Sequence, residues 1–375
     1  MHTGVYLHIP FCQARCSYCD FNTYVGLEAL FEPYVSALTQ EIALAGDRDA
    51  QAHTLFFGGG TPSLLSPDQI SRLIRACRQR FRLPADAEIT VECNPGTVDQ
   101  TYLRALREAG VNRLSFGAQS ANPDELQLLG RDHAWAEVEA AVAAARAAGF
   151  DNLNLDLIFG LPNQSLAAWQ RTLRAALDLA PDHLSLYALT IEAGTPMHDW
   201  TRRGMLPLPD PDLAADMYEW AEQTLAAAGY EHYEISNWCK PGRACAHNLI
   251  YWRNEPYYGL GAGAHSSTIR RRRWNIRRPA EYIARLAQGR SAEASGEDLD
   301  EATSRSETIV LGLRLLIEGV DRARFAQRYH APIEHFYAQA LERGVALGLL
   351  DVTPARICLT ERGRFVSNQA AQLFL

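Results

Sequence analysis

Short apolar runs alternate with longer amphipathic stretches along the first half of the chain, over residues 5–189. The runs predict β-strands, and the stretches between them are long enough for crossover helices, so the pattern indicates parallel strands joined by helices. The predicted strands are residues 5–10, 53–58, 88–94, 113–119, 151–159 and 183–189. The fold class predicted from this pattern is α/β.

Every second residue of several predicted strands is polar. In the third strand Glu92 lies between Val91 and Cys93, and in the fifth strand Asp156 lies between two leucines. Because side chains alternate between the two faces of a strand, the polar set can line an interior while the apolar set packs beneath helices. Six strands are too few for a filled eight-stranded barrel. The pattern indicates an incomplete (β/α)6 barrel around a polar ligand, and sheets with one solvated face are the alternative.

The rest of the chain divides into two further regions. Proline and glycine turns follow the sixth strand, and residues 289–300, rich in small and acidic residues, are predicted to be a linker. Beyond it, a winged-helix-like unit is predicted from helices at 301–319, 321–329, 332–344 and 361–373 and a hairpin at 349–360. We therefore predict three domains: residues 1–190, residues 191–290, and a mainly helical domain at 291–375.

Composition limits the classes of protein that the chain can belong to. Its 375 residues, 47% hydrophobic and 21% charged, are enough to bury a substantial core. The sequence contains no run of 18 apolar residues, and eleven residues precede Cys12, so we predict a cytoplasmic protein without a membrane span or targeting segment. A net charge of -8 argues against broad nucleic-acid binding, and no nucleic-acid partner is expected.

Three of the eight cysteines, Cys12, Cys16 and Cys19, are spaced as C-x3-C-x2-C. An extended chain would separate the first from the last by roughly 23 Å at about 3.3 Å per residue, so their sulfurs meet only in a curled loop. Three thiolates can hold three irons of a [4Fe-4S] cluster and leave the fourth open for chemistry. A zinc site with His8 is a minor alternative because paired C-x2-C spacing is missing. The ordinary cysteine density argues against a disulfide framework.

The residues around these cysteines resemble the radical S-adenosylmethionine (SAM) superfamily and, within it, the oxygen-independent coproporphyrinogen III oxidase family. Further segments match in order along the chain, at 58–62 (GGGTP), 92–96 (ECNPG), 115–120 (SFGAQS), 129–133 (LGRDH) and 154–162 (NLDLIFGLP). The resemblance implies an incomplete parallel (β/α)6 radical SAM barrel. It also implies that SAM chelates the open iron through its amino and carboxylate groups.

The resemblance further implies which residues contact SAM. The matching positions are Tyr6, Tyr18, Gly59, Gly60, Thr61, Glu92, Gln119, Arg131 and Asp156. These residue types are suitable, since Glu92 and Asp156 can accept hydrogen bonds from an ammonium or from ribose hydroxyls, and Arg131 can pair with a carboxylate. The structural alternative for Arg131 and Asp156 is an internal salt bridge.

Residues 247–252 (HNLIYW) resemble the HNxxYW signature of the HemW-type haem-chaperone branch of this family. That resemblance implies haem binding, with His247 as a candidate iron ligand and Cys245 as a neighbour that could substitute. Without it, a histidine beside aromatic residues is more often a packed, hydrogen-bonded residue. The arginines at 270–273, with Arg277 and Arg278, could meet haem propionates, anionic lipid or an acidic partner, or form one solvated side of a hairpin.

Two functions are compatible with these features. A coproporphyrinogen III oxidase would cleave SAM reductively and use the resulting radical to start decarboxylation of propionates. A haem chaperone would bind haem and transfer it to an acceptor protein. The oxidase branch has a further cysteine two positions after the third, where this chain has Phe21, and a longer N-terminal extension.

We therefore expect a haem chaperone whose cofactors are a [4Fe-4S] cluster and SAM and whose ligand is haem. Its partner is an unidentified haem-accepting protein, with respiratory proteins among the candidates, and peripheral contact with a membrane is compatible with this role. Whether the protein is also an enzyme is left open by the sequence.

Overall fold

The structure is a computed structural model that describes residues 2–46 and 50–375. Its strands are β1 (Gly4–Ile9), β2 (Phe11–Cys12), β3 (Tyr24–Val25), β4 (Thr54–Gly59), β5 (Glu88–Cys93), β6 (Arg113–Gln119), β7 (Leu153–Phe159), β8 (His183–Ala188), β9 (Glu231–Glu234), β10 (Asn237–Cys239), β11 (Tyr257–Leu260), β12 (His265–Ser267), β13 (Arg271–Asn275), β14 (Glu293–Asp298), β15 (Val320–Asp321), β16 (Leu350–Val352) and β17 (Arg356–Leu359).

The α-helices connect these strands and form most of the C-terminal region. They are α1 (Phe31–Leu44), α2 (Pro67–Phe81), α3 (Gln100–Ala109), α4 (Pro123–Leu129), α5 (Trp135–Ala147), α6 (Leu166–Asp178), α7 (Pro196–Arg202), α8 (Pro211–Ala227), α9 (Ala246–Trp252), α10 (Pro279–Ala287), α11 (Glu301–Gly312), α12 (Arg322–Tyr329), α13 (Ile333–Ala346), α14 (Glu361–Phe365) and α15 (Ser367–Gln372).

The six predicted strands are β1, β4, β5, β6, β7 and β8, and they are neighbours in one parallel arrangement. They belong to a 12-stranded sheet with the order β14-β13-β12-β11-β1-β4-β5-β6-β7-β8-β10-β9. Strands β9 and β10 extend it at one edge, and β11 to β14 extend it at the other. The predicted α/β fold, an incomplete radical SAM-type barrel of six parallel strands, is confirmed.

Alternation along the strands separates the interior of this barrel from its outer core. Val5, Leu7 and Ile9 of β1 are fully buried in the main apolar core, which α1, α2, α3, α5, α6 and α8 cover from outside. The intervening polar residues of the strands face cavities on the other side of the sheet. Among these helices, α2, α3, α6 and α8 begin at polar caps, and Ser66 and Gln69 form a capping box at α2.

The linker predicted at 289–300 is wrong in its central part, because Glu293–Asp298 forms the edge strand β14. Small and acidic residues have low intrinsic strand propensity, so the pairing with β13 decides this conformation. Arg271 of β13 pairs with Glu293 at 3.2 Å, and Arg272 approaches Glu297 at 3.6 Å. Opposite charges across the two strands therefore support the pairing.

The C-terminal region has an apolar core of its own. Ile309, Phe325 and Ile333 from three helices pack with Leu350 and Ile357 of a small antiparallel sheet ordered β15-β17-β16. This arrangement confirms the predicted mainly helical, winged-helix-like unit, although α11 ends at Gly312 and not near residue 319. The boundaries predicted for the three domains stay a prediction.

Ion pairs link this C-terminal unit to the rest of the molecule. Arg253 pairs with Glu318 at 2.6 Å, and Arg314 pairs with the fully buried carboxylate of Glu234 at 3.1 Å. Across residues 2–46 and 50–375, no helix is both long and apolar enough to cross a bilayer.

We predict that Tyr34→Phe lowers the melting temperature of the protein. The Tyr34 hydroxyl donates to the His8 carbonyl at 2.7 Å and accepts from the Ala262 amide at 2.8 Å, so it joins α1 to β1 and to the turn after β11. Its loss leaves two buried backbone groups unpaired, at a cost of about 1–3 kcal/mol.

The matched control is Tyr258→Phe, because no hydrogen bond of the Tyr258 hydroxyl is found among residues 2–46 and 50–375. Thermal melting followed by circular dichroism should show a clear decrease for Tyr34→Phe alone. Equal melting temperatures for the two variants would contradict the role assigned to Tyr34.

Candidate cluster and cofactor site

A cavity of about 360 Å³ lies where the parallel strands end and their connecting loops begin. Ligand sites of α/β proteins commonly lie at the carboxyl ends of the strands. The cavity walls contain every residue predicted for the cluster and SAM except Tyr6: Cys12, Cys16, Tyr18, Cys19, Gly59, Gly60, Thr61, Glu92, Gln119, Arg131 and Asp156. The structure therefore brings together residues that are far apart in the sequence.

The three cysteines lie on a curled loop that α4 holds in place. The Ser17 amide donates to the Leu129 carbonyl at 3.0 Å, and its hydroxyl donates to the Leu128 carbonyl at 2.6 Å. Within the loop the Cys19 amide donates to the Cys16 carbonyl at 3.4 Å. All three thiols are free, half-buried and part of the wall of one cavity, as expected of a curled loop.

Glycines allow neighbouring backbone to approach this loop closely. A Cβ atom at Gly60 would lie 2.5 Å from the Phe11 carbonyl oxygen and 3.0 Å from the Cys12 sulfur. Gly130, whose φ is +70°, ends α4 beside the loop, where a Cβ atom would lie 3.2 Å from the Ser17 nitrogen. Larger residues would displace the cysteine loop at both positions.

The protonation of the cysteine thiols and the nearby Arg131 affect which metal group the loop can bind. Burial raises the pKa of Cys12, and burial raises the pKa of Cys19 to about 11, so these thiols are neutral at neutral pH until a metal displaces their protons. Arg131 Nη1 donates to the Cys16 sulfur at 3.4 Å, so a guanidinium lies directly beside the loop.

These donors fit a cubane cluster. Among residues 2–46 and 50–375 no three histidine, cysteine or carboxylate side chains converge on one metal ion. A cubane needs no such convergence, because each thiolate binds a different iron. Three thiols, a nearby guanidinium and glycine clearance are therefore compatible with a [4Fe-4S] cluster that has one iron free of protein ligands.

Two buried carboxyl groups form the floor of the cavity. Glu92 accepts a hydrogen bond from the Gly59 amide at 3.2 Å, and burial, with a contribution from Asp156, raises its pKa to about 8. Asp156 accepts from the Ser115 hydroxyl at 2.9 Å and from the Asn154 amide at 2.8 Å, and burial raises its pKa as well. Both are acceptors aimed at a ligand with positive charge or hydroxyl groups.

A hydrogen-bond network behind the floor fixes the orientation of Asp156. Asn154 Oδ1 accepts from His183 Nδ1 at 2.6 Å and from the Ser185 hydroxyl at 3.1 Å. His183 Nε2 in turn contacts the Tyr233 hydroxyl at 2.8 Å. The network residues of β6, β7 and β8 belong to the inward polar set and are indicated by strand alternation, whereas Tyr233 comes from β9, which the sequence did not predict.

The structural alternative for Arg131 was an internal salt bridge with Asp156. Within the described ranges of the chain, Arg131 forms no such salt bridge. Its Nη2 donates to the Gly117 carbonyl at 2.9 Å, and its buried Nε has no acceptor among residues 2–46 and 50–375. Gln119 lies nearby with a φ of 64°, in the left-handed region. A buried donor without a partner fits an anionic group of a ligand.

Tyr6 lies outside the first cavity and lines a second cavity of about 570 Å³. Its hydroxyl donates to His8 Nδ1 at 3.0 Å, because His8 Nε2 carries the proton that it donates to the Asn22 carbonyl at 2.9 Å. The two cavities share Phe21, Gly59 and Glu92 as walls and are therefore adjacent. Sequence reasoning did not identify the second cavity.

The second cavity lies between β1 and the strands β11 to β13 at the sheet edge. Its lining includes Tyr257, His265 and Trp274, which no motif indicated, and Arg277, one of the arginines that the sequence offered as partners of haem propionates. They come from an extension of the sheet whose position only the fold reveals.

His247 and Cys245 are buried inside the molecule. His247 Nδ1 contacts the Thr54 hydroxyl at 2.7 Å, and its Nε2 contacts the Tyr251 hydroxyl at 2.9 Å. Burial, with Arg113, lowers the pKa of His247 to about 3. The Cys245 thiol donates to Glu88 at 3.5 Å. Neither His247 nitrogen is free in this structure, and haem ligation by His247 stays a prediction.

Comparison with known proteins agrees with this architecture. The Radical SAM superfamily model matches residues 6–176, and the HemN C-terminal domain model matches residues 299–366. The chain is 39% identical to the heme chaperone HemW of Mycobacterium tuberculosis, over 99% of this chain and 94% of that protein. It is also 39% identical to the heme chaperone HemW of Escherichia coli, over 99% of this chain and 98% of that protein.

Among solved structures, the coproporphyrinogen III oxidase HemN of Escherichia coli, a radical SAM enzyme, is similar with a TM-score of 0.83 and 27% identity. That comparison covers 100% of this chain and 90% of the other. A curled three-cysteine loop at the strand ends of a six-stranded parallel barrel, together with these full-length similarities, shows that the chain belongs to the radical SAM superfamily and, within it, to the heme chaperone HemW family.

Proposed function

We propose that this protein is a haem chaperone that holds a [4Fe-4S] cluster and SAM, binds haem and transfers it to an acceptor protein. Its relatedness along the full chain to proteins named heme chaperone HemW carries the proposal. The predicted cluster and SAM residues support it, since nearly all of them line one cavity.

The first cavity assigns a role to each part of the proposed cofactor site. Cys12, Cys16 and Cys19 would hold the cluster, which supplies an open iron for SAM and one-electron chemistry when bound. Asp156, held by Ser115 and Asn154, would accept hydrogen bonds from ribose hydroxyls, and Glu92 would accept from the SAM ammonium. The remaining predicted contacts are Tyr18, Gly59, Gly60, Thr61, Gln119 and Arg131, with Tyr6 behind Glu92.

Coproporphyrinogen III oxidation is the second candidate, because the fold is similar to HemN along the whole chain. The cluster loop favours the chaperone. At the position where the resemblance places a further cysteine in the oxidase branch, Phe21 is 65% exposed and lines both large cavities. An exposed aromatic ring suits contact with an apolar ligand and cannot coordinate iron.

The proposal also covers the haem acceptor, the location of this protein and the place of haem transfer. We propose a respiratory haem protein as the acceptor, a cytoplasmic location, and transfer at a membrane surface without a membrane span. The arginines at 270–273 are largely matched by carboxylates of β14 and α11, so they support a stable hairpin more than an anion-binding surface.

We predict that replacing any one of Cys12, Cys16 and Cys19 with alanine largely abolishes the visible absorption of the reconstituted cluster. Each thiolate binds its own iron, so the loss of one opens the cluster to dissociation. The control is Cys77→Ala, which removes a fully buried thiol that lies outside the cavity. Full iron and sulfide content in all three variants would refute the assignment.

We predict that Asp156→Ala weakens SAM binding to the cluster-loaded protein by about 10- to 100-fold, because a charged acceptor is lost from a buried site. Asp151→Ala is the control, since the side chain of Asp151 is exposed before the same strand and pairs with Arg243. Calorimetric titration with SAM measures both affinities. Equal affinities, or an EPR spectrum of the cluster that SAM does not perturb, would contradict the proposed site.

The functional proposal is tested by two parallel assays on anaerobically purified, cluster-loaded protein. We expect stoichiometric haem binding by optical titration, transfer of that haem to haem-depleted respiratory membranes, and no protoporphyrinogen from coproporphyrinogen III with SAM and a reductant. Robust protoporphyrinogen formation without stoichiometric haem binding would establish the oxidase instead.

A further inference from the structure

We infer that haem occupies the second cavity, with His265 as the axial ligand of its iron and Arg277 as the partner of a propionate. This inference rests on the proposed function, because it names the site and the residues that would bind the haem. It separates the iron ligand from the HNLIYW segment at 247–252, which would build part of the cavity wall.

His265 is the histidine of this cavity whose ring is free. It begins β12, its side chain is exposed, and no hydrogen bond of its ring nitrogens is found in the part of the chain that the structure describes. Its ring stacks against Trp274 of β13, with 5.8 Å between the ring centroids and 27° between the planes. An imidazole whose ring nitrogens make no other hydrogen bond can ligate a metal.

His8, the other histidine lining this cavity, already forms hydrogen bonds with both ring nitrogens. Its two ring nitrogens bond to the Tyr6 hydroxyl and to the Asn22 carbonyl. His247 lies deeper and is committed to Thr54 and Tyr251. Ligation by either ring would require breaking a buried hydrogen bond, whereas ligation by His265 would require breaking none that the structure describes.

The size and lining of the cavity suit a porphyrin. Its volume of about 570 Å³ lies within the range of roughly 300–1,000 Å³ typical of sites for small molecules and cofactors. Phe21, Tyr251, Tyr257 and Trp274 supply aromatic surface for a flat macrocycle. Tyr251 and Tyr257 pack edge to face, with 4.7 Å between their ring centroids.

Arg277 supplies a positive charge at the same cavity. Its Nε donates to Asn22 Oδ1 at 3.4 Å, and no carboxylate among residues 2–46 and 50–375 pairs with it. The nearby Arg271 and Arg272 both have carboxylate partners. The Arg277 guanidinium is therefore available to a haem propionate, the anionic group that a porphyrin presents at its edge.

The position of Tyr251 explains how the HNLIYW segment takes part without ligating iron. Tyr251 lines the second cavity, and its hydroxyl bonds to His247 Nε2 at 2.9 Å. His247 thus acts as a positioning residue that sets the orientation of Tyr251 against Tyr257. Because Gly59, Glu92 and Phe21 line both cavities, the bound haem would lie next to the cluster and SAM site.

The ligand assignment is tested by haem titration of wild-type protein, His265→Gly, His247→Ala and the surface control His335→Ala. We expect His265→Gly to lose the histidine-ligated Soret and EPR signatures and to bind haem at least 10-fold more weakly. Added imidazole should restore the wild-type spectrum in His265→Gly, because it can enter the vacated ligand position. His247→Ala should weaken binding less and keep the histidine-ligated spectrum.

Each failure has a different meaning. If wild-type protein binds haem and His265→Gly keeps its spectrum and affinity, or if His247→Ala alone loses histidine ligation, the assignment of His265 is wrong and the proposed function stands. If wild-type protein binds no haem, the proposed function and this site are both wrong.

The propionate contact is tested with a neighbouring pair of variants that remove the same charge. Arg277→Ala should weaken haem binding about 5-fold relative to Arg278→Ala, because Arg278 does not line the cavity. Haem dimethyl ester, which lacks free propionates, should bind the two variants equally. Equal binding of unmodified haem by both variants would exclude Arg277 as the partner.

Discussion

The alternation of side chains along six parallel strands is the constraint on which the rest of this structure depends. One face of the strands, represented by Val5, Leu7 and Ile9, is buried beneath helices. The other face carries Glu92, Asp156 and the groups that hold them. Because a shift of one residue in a strand would exchange the two faces, the apolar packing outside also fixes the polar groups inside.

The hydrogen-bond network around Asp156 is stable because its groups satisfy one another. Asp156, Ser115, Asn154 and His183 form a continuous chain of hydrogen bonds from the cavity floor across the inward face of β6, β7 and β8. An unpaired polar group at these depths would cost about 1–3 kcal/mol, whereas a satisfied network holds its side chains in one arrangement. The carboxylate that faces the proposed SAM site is therefore oriented before any ligand arrives.

The edge extension changes what the barrel can bind. Six parallel strands alone would form the cluster cavity, but β11 to β13 add a second cavity against β1. The two cavities meet at Glu92 and Gly59, so a ligand in one lies against the wall of the other. The candidate cluster site and a larger, partly aromatic cavity are thus adjacent, which gives the proposed haem chaperone a structural reason to retain the radical SAM fold.

The sequence by itself determined the six strands, their inward polar faces and the cysteine loop, because these features are encoded by local alternation and spacing. The strand β14 was predicted as a linker, since its small and acidic residues acquire strand structure only through pairing with β13. The hydrogen bonds of His247 could not be predicted from the sequence either. The sequence shows a histidine beside aromatic residues, but only the structure shows that the Thr54 and Tyr251 hydroxyls contact its ring.

The tertiary structure alone decided that Phe21, Tyr251, His265 and Arg277, which are spread over more than 250 positions of the chain, line one cavity. The local pattern of hydrophobic and polar residues indicates only which face of its own strand or helix a residue lies on. Which distant segments share a cavity depends on the order of the strands in the sheet. Here β11 pairs with β1 although the other five parallel strands of the barrel lie between them in the chain, and this pairing brings the edge extension of β11 to β14 next to the start of the barrel.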